Sequence, residues 1–233
     1  MREKPSTVGD VLKRARAPYT HMSEEDCELF YPAMNKLLIY ANERLGVVPA
    51  DKLKERPEGP HMLYEHGGQV AEELWKNRSL VEDFARDNPA GLSRDVLECV
   101  RPWRHALRDM FVCVDADADR TILMNQDRLF VVGAMQDPAD APVHHIPSLM
   151  LLTLLPFKGG IITDGKTIHL SPKPRPEAVP AIAQQIANLC ARPLVRTSRQ
   201  LLSYTRAIPD SENRVTPRFQ REVDKAFEHE LLA

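Results

Sequence analysis

Residues Gly160-Ile161-Ile162-Thr163-Asp164-Gly165-Lys166-Thr167 fit the pattern G-x-x-x-x-G-K-S/T. In a phosphate-binding loop of that form the backbone N–H groups wrap the phosphates, the lysine neutralises them and the hydroxyl takes Mg²⁺. Gly160, Gly165, Lys166 and Thr167 would then bind a nucleotide. Phe111-Val112-Cys113-Val114-Asp115 could pass for the apolar strand ending in a metal-binding aspartate. Such a loop needs a helix directly after it, whose N-terminus adds to the anion field. The chain instead continues Ile168-His169-Leu170-Ser171-Pro172-Lys173-Pro174-Arg175-Pro176. Alternate prolines remove N–H donors and push the residues before them out of helical geometry. Ile161, Ile162 and Thr163 are β-branched and suit a strand better than an anion nest. The reading adopted is therefore a hairpin, with Asp164-Gly165 as a type I′ turn between strands at 160–163 and 166–170. A nucleotide-binding enzyme is the alternative that this pattern leaves.

Arginine supplies the second chemical signal. Arg192, Arg196 and Arg199 are spaced four and three apart, so on a helix they share one face, and Arg206 follows. Guanidinium forks suit phosphate or carboxylate. Residues 172–221 carry a net charge of +6, residues 20–171 carry −8, and the whole chain carries −2. Two readings follow. The basic stretch 192–221 is an anion- or nucleic-acid-binding surface, or it forms salt bridges with the acidic helices of its own chain. The second is favoured, because an acidic body is poor equipment for approaching a polyanion.

Other constellations dissolve on inspection. Asp115, Asp117 and Asp119 mimic the start of a calcium loop, but Arg120 stands where glycine is needed and Gln126 where a bidentate glutamate is needed. A strand-connecting turn accounts for them. His61 and His66 are five residues apart, which places them about 140° apart on a helix and off a common zinc-binding face. His144 and His145 are adjacent in a loop and point opposite ways if extended. No G-x-S-x-G nucleophile elbow occurs. Cys27, Cys99, Cys113 and Cys190 lie far apart in apolar surroundings and read as buried free thiols of a cytoplasmic protein. No catalytic set, metal site or cofactor is assigned.

The elements that must position these residues change period twice. Ser23 caps a helix with apolar positions from Cys27 to Leu45, and Gly46 sits where its C-terminal residue should. Further helices are expected over His61–Asn77, from a capping Ser79 to Arg86, and from a capping Ser93 to Met110, the last kinked or divided at Pro102. From Met110 the period becomes two. Strands are expected at Phe111–Asp115, Arg120–Asn125, Arg128–Met135, Leu149–Leu155, Gly160–Thr163 and Lys166–Leu170. Leu149–Leu155 is apolar on both faces and should be central. Residues 177–191 return to helical spacing, residues 193–208 are ambiguous, and Thr216-Pro217 opens a last helix.

LLPFKGGIITDG resembles a segment that recurs in a family of uncharacterised bacterial proteins, where an apolar strand and Pro-Phe precede an Asp-Gly. The resemblance covers about a tenth of the chain, supports a strand–turn reading of it and implies no activity.

These patterns predict an α+β protein: a helical region 1–109, a small antiparallel meander or barrel at 110–171, and C-terminal helices at 172–233 packed on the sheet. Composition is that of an ordinary soluble globular protein, 43% hydrophobic and 27% charged in 233 residues. No apolar run approaches the length of a membrane span, and no secretory signal is expected. The leading functional expectation is a non-enzymatic cytoplasmic protein that binds a protein partner or itself, with a regulatory role.

Overall fold

The computed structural model describes residues 22–53, 64–141, 143, 145–166, 168–169 and 174–208. Ser23 opens helix α1 (Glu24–Leu45) with a reciprocal cap: its hydroxyl accepts from Asp26 N at 3.1 Å, and the Asp26 carboxylate accepts from Ser23 N at 3.4 Å. Gly46 ends it in the left-handed conformation, φ 63°, donating to Asn42 O. Phe30, Met34, Leu37, Leu38 and Ala41 form the buried stripe. Against it lie α2 (Tyr64–Lys76), α3 (Ser79–Asp87) and α4 (Arg94–Val100). Ser79 is not a cap, because Arg78 holds that position and caps nothing with its side chain. Its guanidinium instead donates to Trp75 O and Ala106 O, closing the end of α2. Pro102 divides the stretch: α4 stops at Val100 and a 3-10 turn, Arg101–His105, follows, but Leu107–Met110, expected to be helical, open the first strand instead.

The strands are β1 (Leu107–Asp117), β2 (Arg120–Met124), β3 (Leu129–Gly133), β4 (Ser148–Phe157), β5 (Gly160–Thr163) and β6 (Ile168–His169). All pair antiparallel in the order β3-β2-β1-β4-β5, with β6 also on β4. The sheet curls into a half-barrel that brings β3 and β5 towards each other. Central β4 is buried on both faces apart from Leu151.

Side chains close the turns. Asp117 Oδ1 accepts from Asp119 N and Arg120 N at 3.0 and 3.1 Å, so the calcium-like aspartate run is a β1–β2 turn. Asn125 Oδ1 does the same for β2–β3, accepting from Asp127 N and Arg128 N. The tight β4–β5 hairpin is made by Lys158 (φ 41°) and Gly159 (φ 88°) between the paired Phe157 and Gly160. Two positive φ values are the mark of a type I′ turn.

Asp164-Gly165 corrects the expected hairpin. β5 and β6 do not pair with each other. Both run along β4, Thr163 opposite Leu154 and Ile168 opposite Leu151. The edge chain uses more residues between those points than β4 does, which makes a bulge. Only Gly165, at φ 72°, has the left-handed conformation.

Apolar alternation then divides the two faces. One face unites β1 to β5 around Phe111, Phe130 and Leu154, with Leu201 of helix α6 (Ser198–Arg206) among them. On the other, α1 to α4 cover Leu155, Phe157 and Ile162, and helix α5 (Val179–Cys190) covers Met110, Val112 and Leu149. Each fully buried side chain of this kind contributes roughly 1.5–3 kcal/mol. Residues 193–208 resolve into both alternatives. Val195 forms a parallel bridge with Phe130, exchanging bonds with Val131 N and Leu129 O, and α6 follows. Ser198 then donates through N to Gly159 O and through Oγ to Gly160 O, so this stretch ties β3 to the β4–β5 turn. The helix expected from Thr216, residues 1–21, His61 and His144 lie outside the described residues.

Candidate functional site

Helix α6 is set in place by a second reciprocal cap. Thr197 Oγ1 accepts from Gln200 N at 3.2 Å, and Gln200 Oε1 accepts from Thr197 N at 3.1 Å and from Arg196 N at 2.9 Å. Leu201 and Thr205 are buried, and the Tyr204 ring meets Phe130 edge-on at 5.3 Å. Tyr204 also shares a buried network: Asn125 Nδ2 donates to Tyr204 Oη at 3.1 Å and to Asp109 Oδ2 at 3.0 Å. With one face fixed this way, the opposite face turns outward. Arg199, Leu202, Ser203, Arg206 and Ala207 line an open pocket of about 600 Å³ there. Arg199, Ser203 and Arg206 follow i, i+4, i+7 spacing, one stripe of a helix, with a rise of roughly 10 Å from first to last.

The arginine stripe differs from the one the sequence suggests. Arg192 lies in the turn after α5 and donates to Asp127 O at 3.0 Å. Pro193 follows it and lacks the N–H that would continue the helix. Arg196 precedes α6. So Arg192, Arg196 and Arg199 do not share a helical face, whereas Arg199 and Arg206 do. Among the described residues no ion pair joins any of the four to a carboxylate. The pairs present instead link the helical layer to itself and to the sheet, as Glu82 with Arg104, Glu72 with Arg108 and Asp26 with Lys158 do.

The phosphate-loop residues lie in a different environment. Gly160 opens β5 and Gly165 sits in the bulge; Thr167 is outside the described residues. Strand β6 stands where the loop would need a helix. The bulge turns Asp164 wholly inward, where Oδ2 accepts from Trp75 Nε1 at 2.6 Å and Oδ1 from Lys166 N at 3.0 Å. The carboxylate thus takes an N–H that a phosphate loop would offer to its ligand. Burial pushes the Asp164 carboxyl above its usual range, against the pull of the Lys166 N–H and Trp75. Burial also lowers the Lys166 amine to about 8, against the Asp164 charge. Beside them Arg108 pairs with Glu72 and donates to Thr153 Oγ1 at 3.2 Å. This polar seam joins α2 to the sheet between the two apolar clusters on that face.

Cys27, Cys113 and Cys190 are buried, Cys99 is half-buried, and none of the four is in a disulfide. Among the described residues no three His, Cys, Asp or Glu side chains gather to hold a metal ion, and no helix is long and apolar enough to cross a membrane. Arg206 and Ser203 are the polar pocket residues that the three-arginine spacing does not select. The seven-residue spacing of Arg199 and Arg206 was the available signal. No family model matches the chain, and no curated protein or solved structure is significantly similar to it.

Proposed function

We propose that this protein is a non-enzymatic interaction module of the cytoplasm that takes an anionic segment of a protein partner on the outward face of α6. The observation that carries the reading is the open pocket holding Arg199 and Arg206, neither paired with a carboxylate among the described residues. Two guanidiniums on one exposed stripe attract acidic groups, and Leu202 and Ala207 beside them accept aliphatic side chains. That mixture suits a peptide of acidic and apolar residues. A nucleic acid is the less favoured ligand, because a body of −8 over residues 20–171 opposes a polyanion. Buried thiols without disulfides among the described residues fit a reducing compartment. The Lys166 environment supports an inter-layer seam rather than nucleotide binding.

Hydrogen exchange tests the reading. Adding a Glu/Leu-rich peptide should slow amide exchange over residues 198–207 and leave β4 unchanged. Protection elsewhere, with α6 unaffected, would remove the proposed site.

A further inference from the structure

Charge and donor number at the α6 pocket separate two kinds of anion. Arg199 and Arg206 bring two positive charges, and Ser203, between them on the same stripe, brings a hydroxyl donor. A side-chain carboxylate has a single charge and two oxygens. Held between two guanidiniums, it leaves one positive charge unmatched. A phosphomonoester carries about −1.5 to −2 at neutral pH and has three terminal oxygens. Each arginine fork then engages phosphate oxygens, and Ser203 Oγ–H supplies a further donor. A phosphodiester backbone has one charge per phosphate and arrives as a polyanion, which the acidic body repels. The pocket, at about 600 Å³, is larger than one phosphate group, and Leu202 and Ala207 in its lining leave room for apolar side chains beside that group.

Building on the anionic-partner reading, we infer that this face selects a phosphorylated side chain of a partner protein: Arg199, Arg206 and Ser203 hold the phosphate, and Leu202 and Ala207 contact apolar residues flanking it. Binding is non-covalent and needs no further reactant.

The test uses the full chain and three fluorescein-labelled peptides of one Ala/Leu background, with a central phosphoserine, glutamate or serine, followed by anisotropy. The phosphopeptide should bind at least about tenfold more tightly than the glutamate peptide, and the serine peptide weakest. Ser203→Ala should weaken the phosphopeptide several-fold and the glutamate peptide little. Arg199→Lys, which keeps the charge and loses the fork, should do the same. An unchanged thermal midpoint shows that each variant is folded. Equal affinity for phosphoserine and glutamate overturns phosphate selection and leaves the anionic-partner reading standing. No binding of either charged peptide overturns the anionic-partner reading itself. Tighter binding of duplex DNA, or displacement of the phosphopeptide by micromolar inorganic phosphate, also overturns the inference by assigning the site to another phosphate source.

Discussion

Trp75 Nε1 donates to Asp164 Oδ2 at 2.6 Å, a fully buried bond that fastens α2 to the edge of the sheet. Three residues earlier on α2, Glu72 grips Arg108 of β1. Two positions on one helix stripe thus hold strand β1 and the bulge after β5. Leaving one partner of a buried hydrogen bond unsatisfied costs about 1–3 kcal/mol. Trp75→Phe and Asp164→Ala in a double-mutant cycle should show coupling on the order of 1–3 kcal/mol. Additive effects in urea denaturation would mean that the bond does not stabilise the layer contact.

The same seam sets a pH dependence. Because burial raises the Asp164 carboxyl, the folded chain holds that proton more tightly than the unfolded chain does. The associated stability is fully present below the unfolded value of 3.8 and is lost as pH rises through the higher folded value. Wild type should therefore lose stability relative to Asp164→Asn as pH rises above 3.8. Denaturation midpoints that run parallel with pH would contradict it.

Lys166 acts in the opposite sense and in an alkaline window. Its folded value of about 8 lies below the ordinary 10.5, so the folded chain gives up the proton first. Stability should be gained as pH rises from about 8 towards 10.5. Lys166→Met should accordingly stabilise the protein at pH 7, with an advantage that shrinks through this range. An advantage independent of pH would exclude burial of the charge as its source.

The local chemistry of the chain was largely legible in its sequence. Ser23 and Gly46 bracket α1, the period-two runs mark the strands, and the two-sided apolar run at Leu149–Leu155 marks central β4. What escaped was long-range. Asp164-Gly165 has the composition of a hairpin turn, but Trp75 lies far away in sequence and the bulge exists to reach it. Lys158-Gly159 makes the I′ turn without Asn or Asp at its first position, and Lys158 also pairs with Asp26 beside the α1 cap. Of the three arginines chosen by spacing, only Arg199 lines the pocket. Pro193 broke the expected helix, and which face of α6 points outward depends on Leu201 entering the sheet core.

Two glycines should respond with opposite sign to the same change. Gly159 has φ 88° and Gly68 lies inside α2, and at neither does a heavy atom lie within 4 Å of the place a Cβ would take. With space open at both, backbone conformation decides. Gly159→Ala should destabilise by about 1–2 kcal/mol and Gly68→Ala should stabilise by about 0.5–1 kcal/mol. Thermal midpoints moving in the same direction would contradict the turn assignment.

The two sides of α6 should separate folding from binding. Leu201→Ala should cost about 2–5 kcal/mol, whereas Arg199→Ala should stay within about 0.5 kcal/mol. A large stability loss at Arg199 would show that this face packs against the protein instead of awaiting a ligand.

Affinity for a Glu/Leu-rich peptide, titrated at about 50 and about 200 mM salt with wild type and with the Arg199→Glu/Arg206→Glu double variant, tests the arginine-face reading most directly. That reading predicts binding that weakens as salt rises and disappears in the double variant, with the thermal midpoint retained. Binding of equal strength in the double variant would contradict it.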